Sequence, residues 1–156
     1  MRGTTSWDHQ VDYSTLSQNK NNLFNLSAMI RIVAVLIIHR QRVLVGKRAD
    51  NASSARGLHE FPGGKIERGE SATTAATREC LEETGLTVCI DRPLASTLTD
   101  EEKFEIVFFL GSLTSGKESE PLKPFKWITL AELELCTFPK ANSFVVNWLR
   151  QSSVIV

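Results

Sequence analysis

The sequence predicts an α/β (α+β) fold in a single compact domain. Strand-like and helix-like segments interleave along the chain, which is the pattern of sheet-and-helix layers. A length of 156 residues suits one domain better than two. No internal repeat divides it.

Residues 1–28 stand apart from the rest. The stretch SQNKNNLFNLS, Ser17 to Ser27, is rich in Asn and Ser and lacks a clear period. It reads as a disordered or loosely attached extension, as residues upstream of a natural start at Met29, or, third, as a short helix that packs on a partner. The domain proper is expected over residues 29–156. IRIVAVLIIH and RVLVGKR read as two strands joined by a polar turn at Arg40 and Gln41. The run Ile32 to Ile38 has the character of a strand buried on both faces. Ala49 to His59 is a loop of small residues, and EFPGGKIE is a strand and turn punctuated by Pro62, Gly63 and Gly64.

A helix follows from Ser71 to Thr84, with Ser71 as its N-cap and Gly85 as a left-handed stop. LTVCI and KFEIVFFLGSL are strands, the second enriched in aromatic and β-branched residues. Thr114 to Pro124 is a charged loop containing Gly116, Pro121 and Pro124, and FKWI is a short strand. Thr129 and Glu132 form a capping box that opens the short helix TLAEL. A last helix runs from about Lys140 to Gln151, with Phe144, Val145, Trp148 and Leu149 as its apolar stripe.

Composition narrows the function. Eighteen basic and eighteen acidic side chains leave no net charge, so a long nucleic acid is not an expected partner. The scattered Cys80, Cys89 and Cys136 fit neither a metal knuckle nor a disulfide framework and suggest buried thiols in a reducing compartment. His9, His39 and His59 are equally scattered and do not suggest a histidine zinc site. The longest apolar run is too short to span a membrane, and the N-terminus lacks the apolar core of a signal peptide. A monomer in the cytoplasm is expected.

The acidic helix carries the chemistry. At about 100° per residue, Glu79, Glu82 and Glu83 fall within an arc of about 100°. Such carboxylates repel one another, and a solvated face or a divalent cation would each relieve the repulsion. Ala72, Ala75 and Ala76 on the earlier turns of that face favour close approach to another element, so the face is expected to point inward. Arg78 lies one turn before Glu82 and can orient it. Upstream, Gly63 and Gly64 let the backbone approach a ligand, and Glu70 lies just before the helix. Together these suit phosphoryl chemistry, which needs a metal to neutralise phosphate charge and a carboxylate to hold or deprotonate water.

The spacing of Gly64, five residues, Glu70, seven residues, Arg78-Glu79-Cys80, one residue, Glu82-Glu83, one residue and Gly85-Leu86 resembles the box of the Nudix hydrolases. Every fixed position is filled, with Cys80 and Leu86 in the two aliphatic slots. The resemblance implies an α/β/α sandwich with a mixed sheet. It also implies hydrolysis of a nucleoside diphosphate linked to another group, with Mg²⁺ as cofactor and Mn²⁺ as a substitute. Glu79 and Glu83 would bind the metal, assisted by Glu82 and the Gly64 carbonyl. Glu70 and Arg78 belong to the same catalytic set. Which glutamate activates water stays open.

The resemblance reaches most of residues 30–150. EFPGGKIERGE and FPKAN, Phe138 to Asn142, are similar to the MutT-type enzymes, which hydrolyse oxidised dGTP to the monophosphate and pyrophosphate. It implies that Asn142 reads the purine edge beside Phe138. An amide offers both a donor and an acceptor, and oxidation at C8 turns guanine N7 from acceptor into donor. By itself FPKAN reads as a loop and a helix start. Arg48 is implied to face the nucleotide, against a solvated strand end. Phe61 is implied to lie beside the base, against core packing. Glu118 or Glu120 would complete the metal site. Glu102 stands where these enzymes tend to carry a basic residue, which tempers the expected preference for an oxidised base. The rival functions are hydrolysis of pyrimidine triphosphates such as CTP and dCTP, or of other damaged nucleotides, and, from another class, a Nudix-fold binding module without catalysis. Such modules usually lack box glutamates, and this chain keeps them.

Overall fold

Side chains of the first strand, β1 (Ile30–His39), alternate between two hydrophobic cores. Val33, Val35 and Ile37 enter one core; Ala34 and Leu36 enter the other. This is the period-two geometry of a strand covered on both faces. The computed structural model describes residues 29–99, 103–115 and 119–152.

β1 turns into β2 (Arg42–Lys47) through Arg40 and Gln41, with φ of 47° and 63°. That is the backbone of a primed two-residue hairpin, more often built from Asn-Gly. β2 pairs in turn with β3 (His59–Glu60) and with β7 (Lys126–Thr129), both antiparallel. On its other side, β1 runs parallel to β6 (Phe104–Leu113). β4 (Gly63–Lys65) pairs antiparallel with β1, and β5 (Val88–Leu98) pairs antiparallel with β6. The sheet is therefore mixed, as expected.

One face is covered by the helix α1 (Ala72–Thr84), whose Ala75, Ala76 and Cys80 are fully buried against Val35 and Leu44 of the sheet side. The other is covered by α2 (Leu130–Leu133) and α3 (Ser143–Gln151) through Leu133, Val145, Val146 and Leu149. The outcome is the layered α/β/α arrangement. The capping box of α2 forms in full: Glu132 N–H donates to Thr129 Oγ1 (3.3 Å), and Thr129 N–H donates to Glu132 Oε2 (2.8 Å).

Three expectations are corrected. The strand expected to end at Ile90 continues to Leu98 through Pro93. It can do so because β5 lies at the edge of the described sheet, and register shifts between Ile90 and Arg92 and between Pro93 and Ala95 absorb the missing donor. The final helix begins as a 3₁₀ turn at Lys140–Asn142, and Phe144 is 63 % exposed, so Val146 takes its place facing the core. Of the thiols, Cys80 is buried but Cys89 is exposed; all three are free. Residues 1–28, Glu102, Gly116 and Glu118 lie outside the described residues. No described helix is long and apolar enough to cross a membrane.

Candidate active site

The rotation of α1 about its axis is set by its apolar face. Ser71 Oγ accepts the Thr74 N–H (3.1 Å), and Gly85, at φ 70°, donates its N–H to the Leu81 carbonyl (2.9 Å). With Ala75, Ala76 and Cys80 buried, Glu79 and Glu83 are carried to the edge of the interface, partly buried over β4. Burial pushes the Cys80 thiol up to about 12, so it stays protonated and inert. Glu82 stands farther out, with its side chain 59 % exposed.

The glycines of β4 let the helix carboxylates come this close. Gly63 N–H donates to Glu83 Oε2 at 2.9 Å. A Cβ on Gly64 would lie 2.5 Å from both Glu79 carboxylate oxygens, and one on Gly63 would strike the Val33 carbonyl. Backbone and carboxylate share space that any side chain would fill.

Burial, with Glu60 and Glu79 adding to it, lifts the Glu83 carboxyl to about 7; the Gly63 N–H and Arg48 pull the other way. Arg78 serves the opposite flank. Its Nε donates to Glu70 Oε1 (2.8 Å), Nη2 to Glu70 Oε2 (3.0 Å) and to the Lys65 carbonyl (3.1 Å). Its Nη1 donates to Glu79 Oε1 (2.8 Å) and Glu82 Oε2 (3.3 Å). The Arg78 bonds, and then the Glu67 N–H, hold Glu70 down at about 2. Glu70 is thus occupied with Arg78, and Arg78 in turn aims Glu79.

Arg48 lies just past β2, and its Nη1 donates to Glu60 Oε2 at 2.7 Å while its Nε donates to the Ser54 carbonyl at 3.0 Å. Its guanidinium is paired, with the side chain 34 % exposed. Glu60 was not foreseen as part of this cluster. Its place on the strand leading into Pro62 and Gly63 is the signal that could have found it. Glu120 is exposed on the loop before β7.

Phe61 is buried in the second core and stacks on Phe138, ring centroids 4.9 Å apart and planes 19° from parallel. Core packing therefore accounts for Phe61, and it also fixes Phe138. Asn142 is 8 % exposed and donates its backbone N–H to the Pro139 carbonyl (2.9 Å). Its side chain does not cap the helix it opens.

Among the described residues, no three His, Cys, Asp or Glu side chains converge as a metal cage. The donor chemistry nevertheless fits a Mg²⁺-type ion, which keeps several waters and takes one or two protein carboxylates together with substrate phosphates. Glu79 and Glu83 supply hard oxygen donors beside the Gly64 backbone, with no side chain between them.

Carboxylates on one helix packed against a glycine turn of a mixed sheet make this the candidate centre for phosphoanhydride hydrolysis. The family model for the NUDIX domain matches residues 29–150, and the chain belongs to the Nudix family of hydrolases. It is 33 % identical over 129 residues to an 8-oxo-dGTP diphosphatase of Escherichia coli K12, covering 76 % of this chain and 95 % of that protein. A CTP pyrophosphohydrolase of the same organism is 38 % identical over 68 residues, 44 % of this chain and 50 % of that one. Among solved structures, one from a study of MutT of Aliivibrio salmonicida and Vibrio cholerae superposes with a TM-score of 0.64 at 29 % identity, covering 79 % of this chain and 97 % of the other. Nudix enzymes generally use divalent cations and act on small nucleotide substrates.

Proposed function

We propose that the chain is a Mg²⁺-dependent nucleoside triphosphate pyrophosphohydrolase that converts 8-oxo-dGTP to 8-oxo-dGMP and pyrophosphate, with Mn²⁺ as a substitute ion. It would act as a cytoplasmic monomer that clears a damaged nucleotide from the pool. Glu79 and Glu83 would hold the ion, with Glu82 and the Gly64 carbonyl assisting. Such an ion would supply neutralisation of phosphate charge and acidification of water. Arg78 fixes the direction of Glu79, and Glu70 fixes Arg78. The Gly63 N–H seats Glu83. A box glutamate or Glu120 would take the proton of the attacking water, and Arg48 would face the nucleotide.

The observation that carries the choice of base is Asn142: a polar side chain at a nearly buried position, left uncommitted by the helix it opens. An amide held there can accept the N7 proton of the oxidised purine, where normal guanine would present a lone pair instead. Sites that read a hydrogen-bonding group reject the analogue lacking it by up to about four to five powers of ten. The test is steady-state kinetics of 8-oxo-dGTP against dGTP, CTP and dCTP, scored by pyrophosphate release, for wild type and Asn142→Ala. The expected result is the highest kcat/KM on 8-oxo-dGTP, and a larger loss there than on dGTP in the variant. Equal losses on all nucleotides would remove Asn142 from base selection. A second reading, pyrimidine triphosphates, is favoured by the match with the CTP pyrophosphohydrolase; CTP or dCTP as best substrate would establish it.

A further inference from the structure

The segment that carries Phe138 and Asn142 is hydrogen-bonded to β3 through Thr137. The His59 N–H donates to the Thr137 carbonyl at 2.7 Å. In return the Thr137 N–H donates to His59 Nδ1 at 3.1 Å. The peptide plane fixes the amide hydrogen, so Nδ1 is the acceptor and the ring proton resides on Nε2. The approach of Nδ1 to the Thr137 carbonyl, 3.3 Å, is then a contact between acceptors and not a second bond. The same imidazole lies against Phe138, centroids 5.9 Å apart, and Phe138 also stacks on Phe61. His59 and Phe61 flank Glu60 on the strand that continues into Pro62, Gly63 and Gly64. One short stretch therefore holds both the base-side segment and the metal-side turn.

We propose that His59, through Nδ1, is a positioning residue that docks the Phe138–Asn142 segment at a fixed distance from the Gly63–Gly64 turn and so sets how well the nucleotide base is held. The inference rests on the reading that Asn142 meets the base. A positioning role of this kind acts on binding more than on the bond-breaking step, because His59 reaches neither Glu79 nor Glu83 by any hydrogen bond in the described structure.

Two variants separate the acceptor from the ring. His59→Phe keeps an aromatic face toward Phe138 but has no acceptor. His59→Asn loses the ring but can place Oδ1 near the position of Nδ1. In His59→Phe, KM for the best nucleotide should rise about three- to tenfold, the scale of one neutral hydrogen bond, while kcat stays within about twofold. The Thr137 amide, followed by hydrogen exchange in the full chain, should exchange at least about threefold faster. His59→Asn should hold KM within about twofold of wild type and keep Thr137 protected. The proposal is overturned if KM is unchanged in His59→Phe, if kcat alone falls, if Thr137 exchange does not accelerate, or if His59→Asn is as impaired as His59→Phe. If Asn142→Ala leaves KM and base preference intact, the base reading fails by itself, and Thr137 exchange still decides whether His59 docks the segment.

Discussion

Arg78 grips Glu70 with two bonds, Nε to Oε1 at 2.8 Å and Nη2 to Oε2 at 3.0 Å, joining the middle of α1 to the turn that precedes it. Planar fork-to-carboxylate geometry of this kind is the strong form of the ion pair. It leaves Nη1 free to steer Glu79.

The pair predicts an acid-limb signature. The Glu70 carboxyl lies at about 2 in the folded protein against an ordinary 4.5. A depressed folded value means the contribution to stability is complete above about pH 4.5 and is lost as pH falls toward 2. Glu70→Gln cannot lose it. Between pH 5 and pH 2.5 the urea midpoint of wild type should fall further than that of Glu70→Gln, and equal falls would show that the pair does not stabilise the fold.

Glu83→Gln should lower kcat by at least about a hundredfold, the scale of losing one preorganised electrostatic group. Metal-free melting should stay level or rise, because a partly buried carboxylate crowded by Glu60 and Glu79 becomes neutral. Circular dichroism melts and Mg²⁺-titrated kinetics check both halves. Near wild-type turnover would exclude Glu83 from the site.

Gly64→Ala would drive a methyl group into the Glu79 carboxylate. A shift of about 1 Å in a catalytic group can cost about a hundredfold, so kcat/KM should fall by roughly that factor. Restoration by high Mg²⁺ would place the defect in metal binding; an unaffected kcat/KM would show that Glu79 moves aside freely.

A chain beginning at Met29 should keep full activity and nearly all of its thermal stability. The NUDIX match begins at Met29, and residues 1–28 are aperiodic and rich in Asn and Ser. A drop of many degrees in Tm on truncation would contradict this.

Much of the fold could be read from local pattern. The helix over the box announces itself by its cap, its glycine stop and its inward alanines. β1 does so by an unbroken apolar run, and the two-core alternation follows from strand geometry. What escaped depends on partners distant in sequence. Pro93 reads as a breaker until β5 is known to be an edge. Phe144 counts as core by helical period, yet the 3₁₀ turn before it shifts the phase. The Arg48–Glu60 pair exists because β2 and β3 align Gly46 with Glu60, a register that nothing local encodes. His59 looked like a stray histidine until Thr137 was beside it.

The parallel pairing of β1 with β6 has a consequence for how the chain is made. Arg31 and Glu105, paired across these strands, are 74 positions apart. At about 5–20 residues per second, a ribosome that has released β1 needs about 4–15 s to deliver its central neighbour. Through that interval this apolar strand gains β2, then β4 and α1, as cover, while its β6 edge stays open. The tight turn at Arg40 and Gln41 closes on a microsecond scale and is the earliest shelter available. Loosening that turn would slow the appearance of active enzyme and raise its aggregation during synthesis, even where the finished fold melts at the same temperature.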